Sequence, residues 1–147
     1  MKKIILFILP LFFFACEEDS QDVVMIDTSM PTGELSVMRS GTFVDQNSSG
    51  TMGMASLGTD EDGTQFLRFS PDFETKLTTG TVTVFLSTSD TYVADPGNGN
   101  PDLRLLGSIA MSGESFFRIA PVAESRFTHV IVWCASAAIP FGYAPLQ

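Results

Sequence analysis

The residues of this chain that are most able to carry out chemistry lie close together near its C-terminus. Cys134, Trp133 and His129 fall within one short segment, and the whole sequence contains one His, one Trp and two Cys. A cysteine can act as a nucleophile, a redox thiol or a metal ligand, and a histidine can act as its base or as a second ligand. The secondary structure that positions these residues therefore decides which chemistry is open to them.

The segment before Cys134 predicts a central β-strand. It reads V-I-V-W, which is β-branched and aromatic without charge, and turn residues follow it. Side chains alternate along a strand, so Val130, Val132 and Cys134 share one face while His129 and Trp133 share the other. A nucleophilic Cys-His pair needs its two groups within about 3 Å, and this arrangement disfavours a cysteine protease.

The N-terminus has the pattern of an export signal. Two lysines precede the apolar run from Ile4 to Phe14, which is too short to cross a bilayer because about 20 residues are needed. Ala15 and Cys16 follow, and the pattern resembles a bacterial lipoprotein signal in which residues 1–15 are removed and Cys16 is lipidated. This predicts a protein held in the bacterial cell envelope, at the outer membrane, by the lipid on Cys16. The alternative is an ordinary signal peptide with an incidental cysteine.

Charge and cysteine content limit the possible partners. The formal net charge is −9, and removal of Lys2 and Lys3 with the signal would make it more negative. Such a surface repels phosphate backbones, so nucleic acid is not expected as a partner. Lipidation of Cys16 would leave Cys134 without an intramolecular disulfide partner, as a thiol that is either buried and inert or used.

The remainder of the chain predicts one all-β domain. Residues 16–39 comprise the lipidated cysteine and an acidic segment, interpreted as a flexible tether in which Val23 to Ile26 could add an edge strand. Residues 40–147 alternate short β-type runs with turn residues, which predicts an antiparallel sandwich or barrel of seven to eight strands. The strands are expected near residues 41–45, 51–57, 64–69, 81–87, 103–111, 115–119, 127–135 and 141–146.

Other candidate sites have simpler explanations. The D-E-D-G segment from Asp60 to Gly63 lacks the ligand spacing of a calcium loop and is typical of a hairpin turn. His129 has no second His or Cys at zinc-ligand spacing, so no metal site is predicted. Met52 and Met54 are two residues apart, as core packing on one strand face requires, although thioethers also ligate haem iron or copper.

The C-terminal segment V-I-V-W-C followed by F-G-Y-A-P-L resembles the end of the DM-thirteen domain, a module described as an electron-transfer domain. Earlier segments occur in matching order: S-G-T-F-V, S-G-T, F-L-R-F-S-P-D-F, V-T-V-F-L-S, L-L-G-S-I and G-E-S-F-F-R-I. The resemblance extends from about Ser40 to Leu146. The chain departs from it at Thr79-Gly80-Thr81, where members often carry Gly-Pro-Asp, and near Asn47, where they often carry His.

The resemblance implies a β-sandwich-like domain that transfers electrons through one cysteine, here Cys134, as a bare thiol or as the ligand of a cofactor such as haem. Trp133 would then pack beside the thiol or serve as an aromatic stepping point, and His129 or a methionine would be the second haem ligand. An unidentified redox or surface protein would be its partner. The alternative is a non-enzymatic surface binding or adhesion module in which Cys134 only fills the core.

Overall fold

The computed structural model describes residues 30–95 and 98–147. The predicted signal peptide, Cys16 and the proposed edge strand at Val23 to Ile26 lie outside these residues. The described residues form nine strands and no helix, so no helix among them is long and apolar enough to cross a membrane. The all-β prediction is confirmed, with one or two strands more than predicted.

The strands form two antiparallel sheets. The four-stranded sheet, called the small sheet below, has the order β1-β3-β4-β7, and the five-stranded sheet, called the large sheet, has the order β2-β9-β8-β5-β6. The strand bounds are β1 Ser36–Thr42, β2 Val44–Asp45, β3 Met54–Thr59, β4 Gln65–Phe69, β5 Val82–Ser87, β6 Leu103–Ser108, β7 Ser115–Ile119, β8 His129–Cys134 and β9 Ile139–Pro145.

The core lies between the two sheets and is rich in phenylalanine. Phe69 packs against Phe43, Phe73 and Phe117 with ring centroids 4.3 to 5.2 Å apart. Buried aromatic rings contribute large apolar areas, which is how a domain of this size stabilises a single core. Cys134 belongs to the same buried cluster.

The two sheets are joined at one corner by backbone hydrogen bonds. Ser40 in β1 and Gln147 exchange two such bonds, of 3.0 and 3.1 Å. Gly41 makes this approach possible, because a Cβ atom at that position would collide with the backbone oxygen of Pro145 in β9. The glycine of the first S-G-T segment is therefore required by a close contact between two strands.

The methionines correct one prediction. Met52 and Met54 are exposed, at 48% and 43%, rather than packed in the core. The spacing of two was read correctly, but the core face of β3 belongs to Ala55 and Leu57, which are fully buried. Because side chains alternate along a strand, burial of Ala55 and Leu57 places the face that carries the methionines in solvent.

Candidate functional site

Cys134 ends the central strand of the large sheet. β8 pairs with β5 on one side and β9 on the other, and Cys134 lies opposite Val82 and Ile139. Its side chain is completely buried within the core cluster. The predicted alternation is confirmed, because Val130 and Val132 are buried in the same cluster.

The Cys134 thiol has one polar neighbour, the hydroxyl of Thr79. The two atoms, Sγ and Oγ1, are 3.5 Å apart, and the Thr79 hydroxyl can donate to the Lys76 carbonyl oxygen, also at 3.5 Å. In that arrangement the thiol donates to Thr79. Thr79 itself is exposed, so a single side chain separates the sulfur from solvent on this side.

Two hydrogen-bonded turns flank Cys134 at the end of β8. The Thr81 backbone N–H donates to Ser136 Oγ at 2.9 Å, and the Ala135 N–H donates to the Thr81 carbonyl oxygen at 2.8 Å. Gly80 lies between these bonds and has a φ of +119°, a backbone conformation that residues other than glycine rarely adopt. Thr79, the polar neighbour of the thiol, therefore belongs to the segment at which the chain departs from the pattern that it resembles.

His129 does not reach Cys134. It projects from the opposite face of β8, and its Nδ1 lies 2.9 Å from the Thr128 hydroxyl oxygen. Its ring lies 6.2 Å from that of Tyr143, measured between centroids. The prediction that the two residues do not form a nucleophilic pair is confirmed by this geometry.

Trp133 also lies on the outer face of the large sheet, with a partner that the sequence did not reveal. Tyr92, from the loop between β5 and β6, stacks on the Trp133 ring at a centroid distance of 3.9 Å and an angle of 17°. Tyr92 also meets Phe85 edge to face at 5.2 Å. The backbone at residue 133 thus connects a buried thiol to an aromatic stack on the other side of the sheet.

A haem held by Cys134 does not fit this arrangement. Axial ligation requires a sulfur that faces an open slot, whereas the Cys134 side chain is fully buried among apolar side chains. His129 lies on the other side of the strand, and the described methionines are exposed, from 43% to 68%. These side chains do not converge on one metal position. Among residues 30–95 and 98–147, no three His, Cys, Asp or Glu side chains form a metal-binding group.

The second S-G-T segment has a structural role that residue types alone did not indicate. The Ser49 hydroxyl lies 2.7 Å from Asp45 Oδ1 and 2.6 Å from the Phe141 carbonyl oxygen in β9. Thr51 Oγ1 lies 2.7 Å from Ser49 Oγ and 2.8 Å from Thr75 Oγ1. The bond from Ser49 is the largest cause that lowers the pKa of the Asp45 carboxyl. This network fastens the loop after β2 to the large sheet.

Asp60 organises the turn between β3 and β4, where a hairpin was predicted. Its carboxylate accepts the backbone N–H of Thr64 at 2.8 Å and that of Thr32 at 3.1 Å. The bond from Thr32 is the largest cause that lowers the pKa of Asp60. All of these partners are donors within the protein, so the carboxylate acts as an acceptor that ties the N-terminal segment to the hairpin.

A comparison with models of protein families identifies the family of this chain. The family model described as Electron transfer DM13 matches residues 42–146, which include Cys134 and the strands β2 to β9 but only the last residue of β1. Comparisons with curated proteins and with solved structures gave no match. The match spans most of the chain and confirms the resemblance seen in its segments, and the chain therefore belongs to the Electron transfer DM13 family.

Proposed function

We propose that this protein is a cell-envelope lipoprotein, anchored through Cys16, whose domain transfers electrons through the Cys134 thiol. Membership of the electron-transfer family supports the general function. The N-terminal pattern supports the anchor and an outer-membrane location. The partners would be the membrane, through the lipid, and a redox protein of the envelope.

The position of Cys134 is the observation that carries this proposal. On one side its sulfur has a hydroxyl neighbour, Thr79, that reaches solvent. On the other side the adjacent residue, Trp133, stacks on Tyr92 at the outer face of the large sheet. A proton can therefore leave the thiol towards Thr79, and an electron can leave through the aromatic pair.

The proposed step is a one-electron oxidation. The thiol loses one electron and one proton and becomes a thiyl radical, and the proton passes through the Thr79 hydroxyl to water. The acceptor must be a strong one-electron oxidant of a partner protein, such as an aromatic side-chain radical, which is reduced by the one electron that the thiol loses. An electron donor returns the radical to the thiol by the reverse step. Burial keeps the radical away from a second thiol, which would otherwise trap it as a disulfide.

The experiment measures electron exchange with the reduced full-length protein in mild detergent without oxygen. Hexachloroiridate(IV), a strong one-electron oxidant, is added below the protein concentration, and loss of its visible absorption band is followed for the wild type, Cys134→Ala and, as a control away from the thiol, the exposed Ser112→Ala. We expect reduction of the acceptor by the wild type and the control but not by Cys134→Ala. Equal reduction by all three proteins would remove Cys134 as the redox group.

A visible absorption spectrum tests the cofactor separately. The wild type and Cys134→Ala are compared as isolated and after addition of haem. The closed site around Cys134 predicts that no haem band depends on the cysteine. A band lost in Cys134→Ala would show that the site opens, and it would make the thiolate a haem ligand.

The alternative function is a surface binding or adhesion module in which Cys134 only fills the core. The complete burial of its side chain among apolar residues favours this alternative. A free cysteine often behaves as a small hydrophobe in such a position. Under this alternative, Cys134→Ala folds and the wild type exchanges no electrons with any one-electron acceptor.

A further inference from the structure

The outer face of the large sheet presents an apolar row that crosses all five strands. Paired positions place Val44, Tyr143, Ile131, Phe85 and Leu105 side by side in that order. Ile131 in the centre is buried, whereas Val44 and Leu105 at the two ends are 45% and 59% exposed. The middle of this face is therefore buried, whereas its two edges are exposed to solvent.

The loop between β5 and β6 turns one margin into a groove. Tyr92 from this loop packs on Trp133 and Phe85, and the chain after it passes over the edge formed by Leu105. The groove between the loop and the sheet is open to solvent and has a volume of about 260 Å³. Val93, 57% exposed, contributes a further apolar wall.

Among the described residues that line this groove, one carries a carboxylate and none is a lysine or an arginine. Asp95 is a lining residue, and the Asn98 backbone N–H, which donates to its Oδ1 at 3.1 Å, helps to fix it in place. The neighbouring Arg126 is engaged with Asp102 through a contact of 2.8 Å. Arg104 alternates with Leu105 along β6 and therefore belongs to the opposite face of that strand.

We infer that this groove, called the aromatic groove below, binds a lysine or arginine side chain from a basic segment of a partner protein. An aromatic face attracts a cation, and the apolar walls can cover the aliphatic stem of a long basic side chain. Asp95 supplies the opposite charge at the rim. The net charge of −9 favours a basic partner over an anionic one across the whole surface.

The inference does not depend on redox chemistry at Cys134, because binding requires only the outer face. If the proposed function also holds, the basic partner would dock beside the stacked pair of Tyr92 and Trp133. Loss of binding and loss of electron exchange are separate measurements. Cys134→Ala is expected to leave binding at the aromatic groove unchanged.

Trp133 provides the signal for the test because it is the only tryptophan in the chain. The full-length protein in mild detergent is titrated with a hexa-arginine peptide at low and at physiological salt, and Trp133 fluorescence is recorded. Asp95→Asn removes the carboxylate, and Tyr92→Leu removes the aromatic wall. Asp62→Asn is the matched control, because it removes one exposed carboxylate from the turn of the β3–β4 hairpin in the small sheet.

We expect saturable binding that Asp95→Asn and Tyr92→Leu each weaken by about fivefold, as loss of a cation-aromatic or charge contact would do. Asp62→Asn should leave the affinity unchanged at physiological salt. Equal weakening by Asp95→Asn and Asp62→Asn would overturn the inference in favour of diffuse attraction to an acidic surface. A fluorescence response to a neutral oligosaccharide, with none to the peptide, would overturn it in favour of a glycan site.

Discussion

Replacement of Cys134 by serine and by alanine should affect the free energy of unfolding differently. Alanine removes the sulfur and loses roughly one methylene equivalent of buried apolar surface, which is worth about 0.8 kcal/mol. Serine places a hydroxyl in the same dry position. Its shorter bond to Cβ moves the oxygen away from Thr79 Oγ1, which lies 3.5 Å from the native sulfur. A buried hydroxyl without a good partner costs about 1–3 kcal/mol.

Urea unfolding of the three proteins measures this difference. With a slope of about 1–3 kcal/mol/M for a domain of this size, a loss of about 2 kcal/mol lowers the midpoint by roughly 1 M. We expect stability to decrease from the wild type to Cys134→Ala and then to Cys134→Ser. A second series in a Thr79→Val background controls for the one polar neighbour and should destabilise Cys134→Ser further.

One result would refute the reasoning about a dry thiol. If Cys134→Ser were as stable as the wild type, the hydroxyl would have reached water or a good acceptor. Thr79 and the adjoining turns would then leave the thiol open to solvent. Both the closed site and the argument against cysteine-ligated haem would fail with it.

Three other perturbations test the fold around the site. Gly41→Ala should destabilise the domain by about 2 kcal/mol or more in urea unfolding, because its Cβ collides with the Pro145 backbone. The pKa of Asp60 is lowered in the folded protein. Its contribution to the free energy of unfolding is therefore complete above the unfolded pKa of about 3.9 and is lost as the pH falls through the lower pKa of the folded state. Thermal unfolding at decreasing pH should show this loss of stability. Asp60→Asn should make the loss smaller and should increase amide hydrogen exchange at Thr32. Dilute hydrogen peroxide should convert exposed Met52 to its sulfoxide, seen by mass spectrometry, before Cys134 reacts.

Each of these tests has a control or a contrary result. Gly107→Ala meets the Phe117 ring at an ordinary 3.4 Å and should cost much less than the change at Gly41. Asp62→Asn should retain the acid-dependent loss of stability, and an equal reduction there would disprove the role of Asp60. Oxidation of Cys134 at the same rate as Met52 would contradict the complete burial of the thiol.

The strand that contains Cys134 was predictable in some detail from the sequence. An uncharged β-branched run has few other stable arrangements, and the alternation of side chains then separates Cys134 from His129. The confirmed neighbours Val130 and Val132 show that this local reasoning was sufficient. The length of the strand differed by only a few residues at its ends.

The surroundings of the thiol were not predictable in the same way. Thr79 is 55 residues away in sequence from Cys134, and nothing in its residue type marks it as a neighbour. Tyr92 belongs to a long polar loop whose return over the sheet depends on tertiary packing. Met52 and Met54 were assigned to the wrong face because spacing defines a shared face but not which face meets the core.

The central position of β8 has a consequence for export. A chain that crosses a membrane unfolded presents its thiol to the oxidising enzymes of the envelope, and protection begins only when both neighbouring strands have docked. β5 precedes Cys134 in the chain, but β9 follows it and emerges after it. If the protein is exported unfolded, as we propose, Cys134 is therefore exposed to mixed-disulfide formation until Ile139–Pro145 has docked beside β8.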